Sequence, residues 1–139
     1  MVTPQSINDM LKEQWPAARG VCTEVGPKHA VAALTPQAFQ LRPGGYISGP
    51  TLFAAADAAL WFLCFGAIGQ VEPRALTSDL SIRFLRPADG QTIFARADLN
   101  KASRRSVIGT VTIWTDSPEE HCATAQGAYI LPAGMVSGE

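Results

Sequence analysis

Hydrophobic residues follow two different periods along this chain, and the change of period divides it into elements. Residues 48–69 form an almost unbroken apolar run that is too long for a usual strand, which predicts a buried central helix. Pro50 suits the first turn of this helix, and Gly66 and Gly69 are predicted to end it. An earlier apolar stripe over residues 4–15 predicts a short amphipathic helix.

Most of the remaining chain alternates apolar and polar residues with a period of two, as half-buried strands do. Two short strands are predicted over residues 20–25 and 28–35, before the long helix. Four more, joined by tight turns, follow the helix and begin near Leu76, Ile93, Val107 and His121. This order predicts an α+β domain with an antiparallel sheet wrapped around one long helix. We expect an N-terminal helical segment over residues 1–18, the main domain over 19–132 and a flexible tail over 133–139.

Composition narrows the class of protein. Only 17% of the 139 residues are charged, below the usual ~25%, which predicts that a second copy of the chain covers part of the surface. A net charge of −1 provides no broad basic field for binding nucleic acid. Three cysteines without metal-like spacing, and an N-terminus without a secretion signal, favour the reducing cytoplasm. No metal site or cofactor is predicted.

One acid interrupts the long apolar run. Asp57 lies near its middle, and no Lys or Arg follows the run closely, so a buried helix is favoured over a membrane span. An unpaired carboxylate costs several kcal/mol to bury, which makes Asp57 the first candidate for chemistry. Three interpretations are open: a catalytic acid, a structural carboxylate that caps a loop or pairs with an arginine such as Arg83, and an exposed acid in a groove.

Three short motifs occur in a characteristic order. They are residues 42–50 followed by Asp57, the strand block over 76–88 with its closing proline, and the segment over 125–132. In this order they resemble the hotdog-fold acyl-CoA thioesterases, specifically the phenylacetyl-CoA thioesterase-like branch. The resemblance implies a hotdog fold, hydrolysis of an acyl-CoA thioester to free acid and CoA, and a homodimer or a dimer of dimers.

The same resemblance implies roles for individual residues. Asp57 would be the nucleophile or the general base, and the backbone N–H of Gly49 would donate to the thioester carbonyl. Thr77 falls where family members often carry a hydroxyl that positions the attacking water. Three positions depart from the family: Ser48 stands in place of a histidine, Pro50 in place of a second glycine, and Arg42 in place of a loop asparagine. Ser48 and Arg42 are assigned to substrate binding.

The proposed donor and acid cannot meet within one chain. Gly49 and Asp57 are eight residues apart, or about 12 Å along one helix, whereas each must lie about 3 Å from the reacting group. A second copy with its helix laid antiparallel would bring the two together. The hypothesis therefore requires a symmetric dimer with two equivalent sites.

Further residues are candidates for substrate contact. Phe53 and Trp61 are predicted to line an acyl pocket, although aromatic residues on a buried helix also occur as plain core. The turn that carries Lys101, Arg104 and Arg105 is predicted to contact the phosphates of CoA, the alternative being a solvated charged turn.

Two other function classes are considered. Arg42 and Ser48, where the family has Asn and His, favour a non-catalytic dimer that binds acyl-CoA or a small apolar ligand. Hydratase or dehydratase chemistry on the same fold uses an Asp–His pair in related proteins, for which His29 would have to approach Asp57 in space. The sequence contains no G-x-S-x-G motif, which argues against a Ser-His-Asp hydrolase.

Overall fold

A computed structural model describes residues 1–133 of the chain. The tail predicted over 133–139 therefore lies outside the described residues, apart from Ala133. The elements are α1 (Pro4–Gln14), β1 (Gly20–Val25), β2 (His29–Leu34), a 3-10 turn (Pro36–Ala38), α2 (Gly49–Ile68), β3 (Leu76–Phe84), β4 (Ile93–Ala102), β5 (Ser106–Trp114) and β6 (Ala123–Ile130).

The six strands form one antiparallel sheet in the order β1-β2-β4-β5-β6-β3. Strands β1 and β3 are therefore its two edges. The sheet curves around α2, which contacts all six strands. This is the predicted α+β hotdog fold, and the prediction is confirmed.

Helix α2 begins and ends at residues suited to those positions. The Ser48 hydroxyl accepts the backbone N–H of Thr51 as N-cap, and Gly69 closes the helix in the left-handed conformation with φ 80°. The prediction that Gly66 also ends the helix is wrong. Gly66 lies inside α2, where a Cβ would overlap the carbonyl oxygen of Gly26, so the missing side chain lets the helix approach the β1–β2 turn.

The apolar composition of α2 is explained by its place in the core. By length and composition alone the helix could cross a membrane. In the fold, however, most of it is covered, and Ala55, Ala59 and Leu63 are fully buried. At Gly109 and Gly127 an added Cβ would meet leucine side chains of α2, so these glycines let the helix pack closely on the sheet centre.

Helix α1 belongs to the same hydrophobic core. Its buried residues Ile7, Met10 and Leu11 pack into the cluster formed by α2 and the sheet. The Asn8 side chain binds both the N–H and the carbonyl of Cys22, at 2.8 and 2.9 Å, and so fixes α1 to β1. This docking brings the end of α1 next to the outer side of α2.

Strand β3 differs from the half-buried strand that its alternation predicts. Nearly all of it is exposed, including Leu76 at 68% and Phe84 at 52%, and a bulge between Thr77 and Asp79 shifts its register. The reason is its position, because β3 is an edge strand and only β6 pairs with it in the single chain.

Candidate active site

The carboxylate of Asp57 is held by two hydroxyl groups. The hydroxyls of Thr77 and Tyr129 each donate to its Oδ1 atom at 2.7 Å. Within residues 1–133 no hydrogen bond or ion pair reaches Oδ2, and no cation pairs with the group. The pairing considered with Arg83 does not form, because Arg83 is exposed on β3.

Strand register brings the two hydroxyls together. Thr77 at the start of β3 lies opposite Tyr129 near the end of β6, and Tyr129 in turn lies opposite Val107 in β5. This pairing of the strands thus places both hydroxyls next to the middle of α2. Thr77 is a candidate from the sequence, and the structure places it in contact with Asp57.

Tyr129 is the site residue that the sequence analysis missed. It is buried, and its hydroxyl also donates to the backbone carbonyl of Asp57 at 3.1 Å. Burial, followed by the nearby Asp57 charge, raises the pKa of Tyr129 well above its usual value, so the phenol stays protonated. A buried tyrosine needs a partner for its hydroxyl, but only the register of β6 reveals which one.

A cavity of about 550 Å³ adjoins Asp57. One side is the outer face of α2, with Ala54, Ala58 and Trp61, and another is the end of α1 with its following loop. Trp15 packs edge-to-face on Trp61, with ring centroids 5.9 Å apart. The lining is mostly apolar, so the cavity offers a place for an apolar group directly beside a carboxylate.

The two predicted pocket aromatics separate in the structure. Trp61 lines the cavity beside Asp57, whereas Phe53 is 39% exposed and does not line it. Phe53 lies four positions before Asp57 on the helix, and Trp61 lies four positions after it. Of these two aromatic residues, therefore, only Trp61 is placed within one chain for contact with a group bound in this cavity.

The N-terminus of α2 lies in a separate groove of about 580 Å³, lined in part by Arg42, Gly49, Phe84 and Arg86. The N–H of Gly49 has no acceptor among residues 1–133, as is usual for the first turn of a helix. Ser48 is buried, and its hydroxyl contacts the side chains of Thr51 and Gln40 at 2.8 and 3.2 Å. Ser48 therefore caps the helix here, while Arg42 is exposed beside Gly49.

The basic turn lies at the sheet end where β3 begins. Ser106 lies opposite Ile130, and Ile130 opposite Leu76, so the β4–β5 turn and Thr77 share one end of the sheet. Lys101, Arg104 and Arg105 are exposed, and Arg105 donates to the carbonyl of Leu131 at 3.3 Å. None of these three basic residues lines the cavity beside Asp57.

No histidine joins Asp57 in the described chain. His29 contacts Glu24 at 3.3 Å, and His121 lines a different groove together with Trp114. Over residues 1–133 there is also no group of three His, Cys, Asp or Glu side chains placed to hold a metal ion. The Asp–His pair that hydratase chemistry would need is thus not formed between Asp57 and either histidine.

Comparison with known proteins identifies the family. The model of the thioesterase superfamily matches residues 44–122, more than half of the chain. The protein belongs to the thioesterase superfamily. That membership supports thioester hydrolysis as its general chemistry.

Solved structures share the fold over nearly the whole chain. A Silicibacter sp. TM1040 protein, provisionally assigned as a thioesterase, is 26% identical with a TM-score of 0.82, covering 95% of this chain and 93% of its own. The E. coli PaaI protein of the phenylacetic acid degradation operon is 21% identical with a TM-score of 0.76, and the match covers 94% of this chain and 94% of that protein. Zebrafish thioesterase superfamily member 2 is 15% identical with a TM-score of 0.77, and the match covers 95% of this chain and 100% of that protein. A search of curated proteins found no match.

The family match does not cover the whole candidate site. Gly49, Asp57 and Thr77 lie within residues 44–122, whereas Tyr129 lies beyond them. The tyrosine contact is therefore assigned from the structure and not from the family match.

Proposed function

We propose that this protein hydrolyses an acyl-CoA thioester to a free acid and CoA, with Asp57 as nucleophile or general base. The observation that carries the proposal is the half-buried Asp57 carboxylate, with one oxygen unbonded, at the wall of a mostly apolar cavity of about 550 Å³. An apolar acyl group in the cavity would bring its carbonyl carbon next to that oxygen. Membership of the thioesterase superfamily supports the same reaction class.

The oxyanion donor would come from a second copy of the chain. Gly49 and Asp57 lie on one continuous helix, so their separation of about 12 Å is fixed within each chain. In an antiparallel pair of α2 helices, the unbonded Gly49 N–H of one copy would face the Asp57 of the other. This N–H and the positive end of the helix dipole would then stabilise the negative charge that develops on the carbonyl oxygen.

The exposed edge of the sheet supports such a dimer. Strand β3 leaves its outer backbone groups unpaired and exposes large apolar side chains at Leu76 and Phe84, and Leu85 directly after the strand is exposed as well. An open apolar edge of this kind is a template for pairing with another chain. A homodimer through this edge, or a dimer of such dimers, would cover it.

Two chemically balanced routes lead from the thioester to the free acid and CoA. As general base, Asp57 takes a proton from water while the water oxygen bonds to the carbonyl carbon. The departing CoA thiolate takes up that proton when the C–S bond breaks. As nucleophile, an Asp57 oxygen bonds to the carbonyl carbon and the thiolate leaves, after which water cleaves the anhydride. A single turnover in ¹⁸O-labelled water distinguishes them, because only the second route labels the Asp57 carboxylate or leaves its first product unlabelled.

Other parts of the proposal concern binding and location. The exposed turn with Lys101, Arg104 and Arg105 lies at the sheet end nearest Thr77, where its charges would meet the CoA phosphates. Arg42, beside Gly49, would contact the substrate from the other subunit. The cysteines Cys22, Cys64 and Cys122 are free and buried, which is consistent with a cytoplasmic protein.

A thiol-release assay over short, long and aromatic acyl-CoAs tests the proposal. Wild type is expected to hydrolyse at least one of them, and Asp57→Asn to lose that activity while keeping its fold. The second candidate is a dimer that binds acyl-CoA without turnover, favoured by Ser48, whose hydroxyl is engaged in capping α2 where the family has a histidine. Tight acyl-CoA binding without thiol release would select this candidate.

A further inference from the structure

We propose that Tyr129 is a positioning residue, which holds the Asp57 carboxylate so that Oδ2 alone faces the reacting carbonyl or water. This inference rests on the proposed hydrolysis, because it assigns a task to each oxygen of the same carboxylate. Tyr129 lies outside the residues matched by the family model. Its basis is the geometry of the hydrogen bonds around Asp57.

Both donors reach the same oxygen. The Thr77 and Tyr129 hydroxyls each lie 2.7 Å from Oδ1, an ordinary distance for a well-formed O–H···O hydrogen bond. Two such bonds from the neighbouring strands β3 and β6 fix the carboxylate plane, because rotation about the Cβ–Cγ bond would break both. Oδ2 is thereby left as the oxygen available to a substrate or a water.

Of the two donors, Tyr129 is the more firmly held. Its ring is 4% exposed, and β6 lies inside the sheet between β5 and β3, whereas Thr77 is exposed on the edge strand. Its hydroxyl also bonds to the Asp57 backbone carbonyl, so it contacts both the main chain and the side chain of one residue. The raised pKa of Tyr129 keeps its proton in place, so it remains a donor throughout the reaction.

This arrangement assigns the moving proton or the new bond to one atom. On the general-base route the water proton goes to Oδ2 and leaves from Oδ2 with the CoA thiolate. On the nucleophilic route Oδ2 forms the bond to the carbonyl carbon. Tyr129 exchanges no proton on either route, and although it also lines the cavity, its hydroxyl acts through the Asp57 carboxylate.

Tyr129→Phe removes the hydroxyl and keeps the buried ring. We expect kcat to fall about 10- to 100-fold, as for loss of a hydrogen bond to a charged group, with KM within about twofold of wild type. Thr110→Val, which removes an exposed hydroxyl on β5, is the matched control and should leave both constants unchanged. A full kcat in Tyr129→Phe would overturn the proposal.

A double-mutant cycle separates positioning from general stabilisation of the fold. If Tyr129 acts through the Asp57 carboxylate, Tyr129→Phe should have no further effect on the residual rate of Asp57→Asn. If the hydroxyl only stabilises the fold, the rate should fall by the same factor in both backgrounds. Equal factors would overturn the proposal.

An activity-independent measurement keeps this inference separate from the proposed function. In protein labelled with ¹³C at the Asp carboxyls, the Asp57 resonance is identified by its absence in Asp57→Asn. We expect that resonance to move in Tyr129→Phe and to stay in place in Thr110→Val. An unmoved resonance would refute the positioning role, whereas a wild type inactive on every acyl-CoA would refute only the proposed hydrolysis.

Discussion

At Asp57 the two carboxylate oxygens have different surroundings, and this asymmetry determines what the residue can do. Oδ1 accepts two short hydrogen bonds, while Oδ2 has no partner within residues 1–133. A carboxylate in half-buried, mostly apolar surroundings is costly unless hydrogen bonds compensate it. Here two neutral hydroxyls provide that compensation, without an ion pair among residues 1–133.

Removal of the Thr77 hydroxyl tests one of the two hydrogen bonds to Oδ1. Thr77→Val keeps the shape of the side chain and removes one of the two donors to Oδ1. We expect kcat to fall about tenfold, because a hydrogen bond to a charged group contributes roughly 1.5 kcal/mol or more. Steady-state kinetics on the best acyl-CoA measures the change, with Thr110→Val as control, and an unchanged kcat would contradict it.

The residues of the site were predictable to different degrees. Asp57 stands out as the single acid in an apolar run, and Thr77 was inferred from its position in a motif. Tyr129 is 72 residues from Asp57, and its role depends on which strand pairs with β3. Because strand order is not encoded in a local pattern, no periodicity in the sequence could assign that contact.

Among the elements, α2 shows how a local rule was overridden. Gly66 looks like a helix terminator, since glycine in a helix interior usually costs about 1 kcal/mol relative to alanine. In the structure its missing Cβ admits the Gly26 carbonyl, so packing on the β1–β2 turn explains the glycine. Gly69, with φ 80°, is the residue that ends the helix, as predicted.

The loop between α2 and β3 carries part of the cavity wall and is fixed by one ion pair. The buried Glu72 accepts the backbone N–H of Arg74 at 2.9 Å and its guanidinium at 2.8 and 2.9 Å. These bonds hold Pro73 and Ala75 in the wall of the cavity beside Asp57, and the chain continues from there to Thr77. The hydrogen bonds from Arg74 lower the pKa of Glu72 below its usual value.

This ion pair predicts a pH dependence of stability. A carboxyl with a lowered folded-state pKa adds stability above its unfolded pKa of about 4.5, and that stability is lost as the pH falls through the folded value. Urea unfolding from about pH 6 to pH 3 should therefore show a loss that is smaller in Glu72→Gln. Glu13→Gln, at an exposed position on α1, is the control, and equal slopes in all three proteins would contradict the prediction.

The complete fold, with two helices and six strands, was largely predictable because a long apolar run, a helical stripe and a two-residue alternation are clearly different patterns. What the sequence could not show was the exposure of β3, whose alternation is that of a half-buried strand. The alternation is explained if a second copy buries the edge that one chain leaves open. The low charge of 17% is consistent with such a covered surface.

A site shared between two subunits, as proposed, predicts complementation between two inactive chains. Asp57→Asn lacks the acid, and Gly49→Pro lacks the N–H donor, so each homodimer should be inactive. In hybrids one site combines the intact Asp57 of one chain with the intact Gly49 of the other. Random mixing makes half the dimers hybrids with one active site each, so about a quarter of wild-type activity should return.

Circular dichroism would verify that both variants keep the fold before they are unfolded and refolded together. Light scattering on the same samples should give twice the mass of one chain, or four times that mass for a dimer of dimers. A mixture that stays inactive although hybrids have formed would contradict a site built from two subunits.

A comparison of wild type with Asp57→Asn in CoA release from a broad set of acyl-CoAs tests whether Asp57 carries out the hydrolysis. The exchange keeps the size of the side chain and an Oδ1 atom that can accept the hydrogen bonds from Thr77 and Tyr129, and it removes the negative charge. We expect wild type to turn over at least one substrate and the variant to be slower by about a thousandfold or more. Equal rates for the two proteins on every substrate would contradict a role for Asp57 in hydrolysis.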